Sequence, residues 1–156
     1  MRKKERQVIE MEKIKEIMQA CIVCHLGFAE GKSAYVVPLN FGFEEENGKV
    51  TLFFHGSKVG RKIDLINKMG WAGFEMDTNH AINSAPKPCD FSYRYQSIIG
   101  EGKVDFIEDK QGKVAALEKI MSHYEKRDKW EFDEKMLEAT AVFKLQVEKM
   151  ECKEHR

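Results

Sequence analysis

Residues 54–62 carry the residue types that bind a phosphate group, in the order FHGSKVGRK. The segment contains two glycines and a serine, together with three cationic side chains, at Lys58, Arg61 and Lys62. A phosphate monoester is held by free backbone N–H groups and positive side chains, and this segment offers both. It therefore predicts a phosphate site, with a solvated basic helix start as the alternative.

The flanking residues predict that this segment connects a strand to a helix. Residues 50–55 are β-branched and aromatic, which is typical of a strand. The apolar residues after Lys62 have helical spacing and stop at Gly70, a favourable C-terminal cap. Arg61 and Lys62 then fall in the first helical turn, where the macrodipole disfavours each cation by roughly 0.3–1 kcal/mol. A bound anion would reverse that effect.

His55 is the candidate catalytic residue because it ends the predicted strand just before the first glycine. A histidine beside a phosphate either donates a simple hydrogen bond or supplies a proton to a bound substrate. The sequence leaves both roles open.

Two other motifs fit known chemistry poorly. Cys21-Ile22-Val23-Cys24-His25 matches the pattern for covalent haem attachment. Residues three apart in a strand lie about 10 Å apart on opposite faces, so buried structural cysteines are expected instead, and no metal site. Residues 56–62 also resemble a P-loop, but Ile63 stands where that motif needs Ser or Thr for magnesium.

The composition limits the partners that the chain can have. The 156 residues suffice for one domain, and 26 basic residues balance 26 acidic ones. No net field attracts nucleic acid or anionic lipid, so neither partner is expected. No run approaches the roughly 20 apolar residues of a membrane span. With a charged start and four widely spaced cysteines, the chain is expected to be cytoplasmic with reduced thiols.

The remaining pattern predicts a mainly β, α+β fold: about six antiparallel strands in a barrel with a few flanking helices. Strands are expected at 21–29, 33–44 with an interruption at Pro38, 50–55, 71–77, 91–108 and around 143–147. The first three form a predicted meander, and residues 78–90 an irregular loop. Helices are expected at 14–20, 61–69, 114–124 and weakly within 125–139. One domain spans 1–156, with a polar lead-in at 1–10 and a tail at 151–156.

Several segments taken together resemble the nitroimidazole-resistance branch of the pyridoxamine 5′-phosphate oxidase-like flavoproteins. They are Pro38-Leu39-Asn40-Phe41-Gly42, Phe54-His55-Gly56, Gly60-Arg61-Lys62 and the long strand with Tyr95 to Gly100. The resemblance covers about residues 6–150. It implies an FMN-binding split barrel, a six-stranded antiparallel barrel that forms a homodimer with one flavin at each end of the interface.

The resemblance also implies which residues contact FMN. The phosphate would be bound by Arg61 and Lys62, helped by Ser57. The isoalloxazine ring would receive backbone hydrogen bonds from a single segment, which consists of Val37, Pro38, Leu39 and Asn40. The ring and ribityl chain would also lie beside Phe54 and His55, and the second subunit would contribute Tyr95 and Ser97.

The implied function is an FMN-dependent oxidoreductase that passes electrons to a small acceptor such as a nitroimidazole or another nitroaromatic. Residues 149–156 depart from the C-terminal Arg and Trp segment of pyridoxamine phosphate oxidases proper, so vitamin B6 oxidation is not expected. One alternative is a non-catalytic flavin- or haem-binding carrier or sensor of the same fold. Another is a cofactor-free barrel that functions through its dimer interface.

Overall fold

The computed structural model describes residues 4–156 and has a mainly β fold. Its strands are β1 (Gln7–Val8), β2 (Cys24–Glu30), β3 (Ser33–Leu39), β4 (Gly42–Glu46), β5 (Lys49–Ser57), β6 (Trp71–Asn83), β7 (Ser92–Phe106) and β8 (Thr140–His155). Its helices are α1 (Met11–Ala20), α2 (Arg61–Met69), α3 (Lys110–Tyr124) and α4 (Glu134–Ala139). None of the helices in this described range has the length and apolar character needed to cross a bilayer.

The strands form one antiparallel sheet that closes on itself. Their order is β3-β2-β6-β7-β8-β5-β4, and β1 adds to β8. The edge strands β3 and β4 are joined by only Asn40 and Phe41. The sheet must therefore curl until its two edges meet at this link, which leaves an unpaired split between them. The predicted fold class, an antiparallel split barrel with flanking helices, is confirmed, and the described sheet has eight strands where six were expected.

The link between β3 and β4 corrects two predictions. Residues 33–44 form two strands on opposite edges of the sheet, because β3 pairs with β2 whereas β4 pairs with β5. The predicted meander of three consecutive strands is therefore wrong. Pro38 does lie in an edge strand, as predicted, where its missing N–H breaks no ladder.

Local turn chemistry behaves as the sequence predicts. Asn47 and Gly48 have φ angles of 52° and 80°, the left-handed pair that a two-residue hairpin needs between β4 and β5. Gly70 has a φ of 59° and ends α2, where its N–H donates to the Ile66 carbonyl.

Two strands extend further than the sequence indicates. β6 continues through a bulge to Asn83, which shortens the predicted loop at 78–90. β8 continues to His155, so residues 151–155 are not a tail but pair with β7. The lead-in also joins the sheet, because Val8 pairs with Cys152. Backbone pairing holds these polar segments, and hydrophobic patterning could not reveal them.

The barrel interior is filled by aromatic and aliphatic side chains. Phe54 and Phe143 stack there with ring centroids 5.4 Å apart, and both are fully buried. Leu145, two residues further along β8, is also buried, as the alternating pattern predicts. A second cluster lies under α3 and includes Phe53 and Ile120.

The last two residues of α3, His123 and Tyr124, contact the link between β3 and β4. The Tyr124 hydroxyl accepts a hydrogen bond from the Phe41 N–H (3.0 Å) and donates one to the Ile22 carbonyl (2.8 Å). His123 donates from Nε2 to the Cys21 carbonyl (2.7 Å) and packs on Phe41 with ring centroids 4.4 Å apart. These contacts hold the link between β3 and β4 against the residues that precede β2.

Candidate functional site

The predicted phosphate segment is a strand–loop–helix junction. β5 ends at Ser57, and α2 begins at Arg61. The N-cap residue, Gly60, has φ 124° and ψ 169°, a conformation that favours glycine, and it provides no capping side chain. The N–H groups of Arg61 and Lys62 have no acceptor among residues 4–156. Two free donors at a helix start favour an anion there.

Lys62 adds an unpaired charge to the same junction. Its ammonium lies against the backbone of Gly56, since a Cβ built on that glycine would be 2.8 Å from Nζ. On its other side Nζ lies 6.0 Å from the centroid of the Phe143 ring. No described carboxylate pairs with Lys62, and partial burial lowers its pKa. A half-buried cation without a partner is unfavourable, and a bound anion would stabilise it.

His55 is the second unpaired group at the junction. His55 lies at the surface, partly covered by neighbouring residues, and has no hydrogen-bond partner among the described residues. Partial burial and the nearby Lys62 charge both lower the pKa of His55. The imidazole is therefore uncharged at neutral pH in the free protein, and it can donate a hydrogen bond more readily than a proton. An anion bound beside Lys62 would oppose the effect of that charge.

Arg61 points from the helix start toward the β2–β3 hairpin. Its Nε donates to Glu30 Oε2 (2.7 Å), and its Nη2 donates to the same oxygen. The guanidinium lies over the ring of Tyr35, 4.6 Å from the centroid. An exposed ion pair contributes only about 0–1 kcal/mol, so a phosphate dianion can compete for this guanidinium. Sequence reasoning missed Glu30 and Tyr35 because only the folded hairpin brings them to α2.

The edge strand β3 continues from Tyr35 into the segment predicted to follow a flavin ring. Val37 and Leu39 are partly buried against the barrel core, whereas Pro38 and Asn40 are exposed. β3 pairs only with β2, so alternate backbone N–H and C=O groups face away from the sheet without a strand partner. A flat ring with polar groups on its edge could bond to them. The role of residues 37–40 stays a prediction.

Of the predicted contact residues on β5, Phe54 is buried, whereas His55 and Ser57 are exposed. The Phe54 side chain is fully buried in the barrel, so a flavin contact at this residue would have to use its backbone. Neighbouring residues of a strand face opposite sides, and this places His55 outside instead. Ser57 is exposed, and its Oγ accepts a hydrogen bond from the Val59 N–H (3.3 Å). That hydroxyl keeps its own proton free to donate to a phosphate.

Tyr95 and Ser97 do not join this site within one chain. They lie on β7, three strands from β3, which is roughly 14 Å at the usual strand spacing. Ser97 pairs with Asp77 on one side and with Lys153 on the other. Their predicted contact with a flavin therefore requires a second copy of the chain.

The cysteines offer no reactive or ligating thiolate in the interior. Burial raises the pKa of the Cys21 thiol to about 12 and that of Cys152 to about 11. Burial also raises the pKa of Cys24. These protonated thiols are poor nucleophiles and poor metal ligands. No group of three or more His, Cys, Asp or Glu side chains within residues 4–156 could hold a metal ion.

Gly56→Ala should weaken phosphate binding without removing any charge. The new methyl group would come within 2.8 Å of the Lys62 Nζ, which is the flexible end of a side chain and can move away. A ligand held there by its phosphate, as the resemblance implies for FMN, should bind about tenfold more weakly, because a displaced ammonium loses a charge-assisted hydrogen bond. Fluorescence titration measures the affinity, and thermal unfolding checks that the fold is retained. An unchanged affinity would show that the Lys62 ammonium does not bind the phosphate from its position beside Gly56.

Residues 10–154 match the family described as pyridoxamine 5′-phosphate oxidase. No curated protein is similar enough to the chain to count as a match.

Several solved structures share the fold. A protein of Bacteroides thetaiotaomicron, described as a 5-nitroimidazole antibiotic resistance candidate, is 29% identical, with a TM-score of 0.81 over 94% of this chain and 85% of that one. The flavocytochrome Anf3 of Azotobacter vinelandii is 21% identical, with a TM-score of 0.81 over 100% and 72% of the two chains. The FAD and haem binding protein of Mycobacterium smegmatis is 17% identical, with a TM-score of 0.83 over 97% and 74%.

Proposed function

Because the chain belongs to the pyridoxamine 5′-phosphate oxidase family, we propose that it binds FMN at the start of α2 and uses it to reduce a small oxidised molecule. The observation that carries the proposal is the unpaired, half-buried side chain of Lys62 on a helix whose first two N–H groups are free. No carboxylate among residues 4–156 pairs with this ammonium. A phosphate monoester, with a charge near −1.5 to −2 at pH 7, would satisfy all three groups.

Each neighbouring residue has a defined part in this arrangement. Lys62 and the helix N–H groups bind the phosphate. Arg61 binds it as well, after the ion pair between Arg61 and Glu30 has broken. Ser57 donates its hydroxyl proton. The outward backbone groups of residues 37–40 orient the ring, and His55 donates a hydrogen bond from outside the barrel. Bound flavin would supply the redox chemistry, and the chain supplies position and charge.

A terminal phosphate favours FMN over FAD as the cofactor. The site clusters two cationic side chains and two N–H donors at one helix start, which suits a single terminal dianion. The bridging phosphates of FAD carry one charge each and would leave part of the cationic charge unmatched. Among the similar structures, the Mycobacterium smegmatis protein is described as binding FAD, so FAD is the competing cofactor to test.

We also propose that a second copy of the chain covers the outer face of β3, β2, β6 and β7. Val36 and Ile99 stand exposed on that face, at 57% and 44% of their full surface. Directly paired residues share a face of a sheet, so Gly27, which pairs with both Val36 and Gly73, leaves the surface between them flat. Such a dimer would bring Tyr95 and Ser97 to the flavin of the other chain.

Anaerobic flavin titration followed by a single reduction and reoxidation tests the proposal. We expect FMN to bind, and the photoreduced complex to be reoxidised by 2-methyl-5-nitroimidazole faster than free reduced FMN is. A protein that ignores FMN would refute the proposed function. Binding without accelerated reoxidation would favour the alternative, a flavin- or haem-binding carrier or sensor.

A further inference from the structure

The backbone carbonyl of Asn40 is a free acceptor at the end of the segment predicted to follow the flavin ring. Asn40 is the last residue of that segment and the first residue of the link between β3 and β4. It is exposed, and its carbonyl has no hydrogen-bond partner among residues 4–156. A backbone carbonyl is a strong acceptor, so this one can bind a donor on a ligand.

The direction of this carbonyl is fixed from α3. The Phe41 N–H belongs to the same peptide unit as the Asn40 carbonyl, and it donates to the Tyr124 hydroxyl (3.0 Å). No peptide bond in the described chain is cis. The N–H and C=O of a planar trans peptide point in opposite directions. Since the N–H points at Tyr124, the Asn40 carbonyl points away from it.

The same hydroxyl makes the carbonyl a stronger acceptor. Tyr124 also donates to the Ile22 carbonyl (2.8 Å), so the Phe41 N–H, the hydroxyl and this carbonyl form a chain of hydrogen bonds. The members of such a chain polarise one another. A peptide whose N–H takes part in the chain carries more negative charge on its own oxygen, which here is the oxygen of Asn40.

The link has little freedom to turn this peptide. A Cβ built on Gly42 would be 2.5 Å from the Ile120 nitrogen, so the backbone of α3 touches the chain directly after the link. The Phe41 side chain is fully buried, and its ring centroid lies 4.4 Å from that of His123. Packing and hydrogen bonding from one helix therefore hold two residues that belong to no strand.

We propose that Tyr124 is a positioning residue for the flavin ring, because it holds the Asn40 carbonyl in the direction that accepts the ring N–H. The oxidised isoalloxazine ring carries a single N–H, and a backbone carbonyl is a suitable acceptor for it. Tyr124 acts through Asn40 and does not touch the ligand. The inference rests on the proposed function, since it names the group among residues 37–40 that contacts the ring.

Amide hydrogen exchange of the flavin-free protein tests the first step. Tyr124→Phe removes only a hydroxyl, and the residue is 41% exposed, so the barrel should stay folded. The Phe41 amide should then exchange about tenfold faster than in the wild type, as the loss of one hydrogen bond allows. The matched control is Thr78→Val, which removes a hydroxyl bonded to the Ala20 carbonyl (3.1 Å) and should leave this amide unchanged.

Flavin binding tests the second step. Tyr124→Phe should weaken riboflavin and FMN by the same factor, about three- to tenfold, because the ring contact is lost and the phosphate contact is kept. FMN labelled with ¹⁵N at the ring N–H reports on the hydrogen bond itself. Its proton signal should move upfield in the Tyr124→Phe complex, which a general loss of stability would not cause. Thr78→Val should change neither the affinities nor this signal.

A Phe41 amide that exchanges at the wild-type rate in Tyr124→Phe would overturn the inference. It would also be overturned if this variant kept the wild-type affinity and ring N–H signal, and the proposed function would then still stand. A wild type that binds no FMN would refute the proposed function and this inference together. The two failures are therefore distinguishable.

Discussion

The double variant Arg61→Gln with Lys62→Met should bind FMN more than about 100-fold more weakly than the wild type. Each cation can form one or more charge-assisted hydrogen bonds with the phosphate, worth roughly 1.5–3 kcal/mol apiece. Lys62 contributes most, since its ammonium is half-buried and unpaired before the ligand arrives. Quenching of flavin fluorescence measures the dissociation constant of each variant.

The fold should survive this double change. Arg61 is exposed, and its pair with Glu30 contributes little to stability. Removing the Lys62 charge relieves a partly desolvated cation, so the free energy of unfolding should not fall. The control is Lys68→Met, an exposed lysine in the last turn of the same helix that should leave FMN affinity unchanged. If the double variant binds FMN as well as this control does, the phosphate does not bind at α2.

Gly102→Ala should destabilise the barrel by about 3 kcal/mol, the upper part of the range for overpacking. A Cβ at this position would be 2.0 Å from the Gln146 carbonyl oxygen and 2.9 Å from Leu145 Cδ2. Both contacts belong to β8, whose register shifts between Glu101 and Gly102. Since the closest atom is backbone, β7 and β8 would have to move apart. For a chain of this size the melting temperature should fall by about 6–12 °C.

Gly31→Ala is the contrasting control for that change. No atom lies within 4 Å of the added Cβ at Gly31, so its only cost is a positive φ of 61°, which is about 1–2 kcal/mol. The melting temperatures of the two variants compare the cost of a steric clash at Gly102 with the cost of backbone strain at Gly31. If Gly102→Ala melts at or above the temperature of Gly31→Ala, β8 does not pack against Gly102 as described.

Features that depend on a few adjacent residues could be predicted from the sequence. Gly70 ends α2 and Asn47-Gly48 turns the β4–β5 hairpin, because only certain residues tolerate a positive φ. The strand–loop–helix around residues 54–62 also follows from the residues within it. These features require no knowledge of distant parts of the chain.

Features that depend on distant partners could not be predicted. The break between β3 and β4 exists because each strand pairs on a different edge of the sheet, which no local pattern encodes. The extension of β8 to His155 likewise depends on backbone bonds to β7. At the site, Arg61 meets Glu30 only after the β2–β3 hairpin has folded against α2.

The affinity ratio between FMN and riboflavin tests the central claim most directly, because the two ligands differ only in the phosphate. The wild type should bind FMN at least about 100-fold more tightly than riboflavin. In the double variant Arg61→Gln with Lys62→Met the ratio should approach one, with the riboflavin affinity unchanged. Equal wild-type affinities for FMN and riboflavin would contradict the account, because the start of α2 would then make no contact with a flavin phosphate.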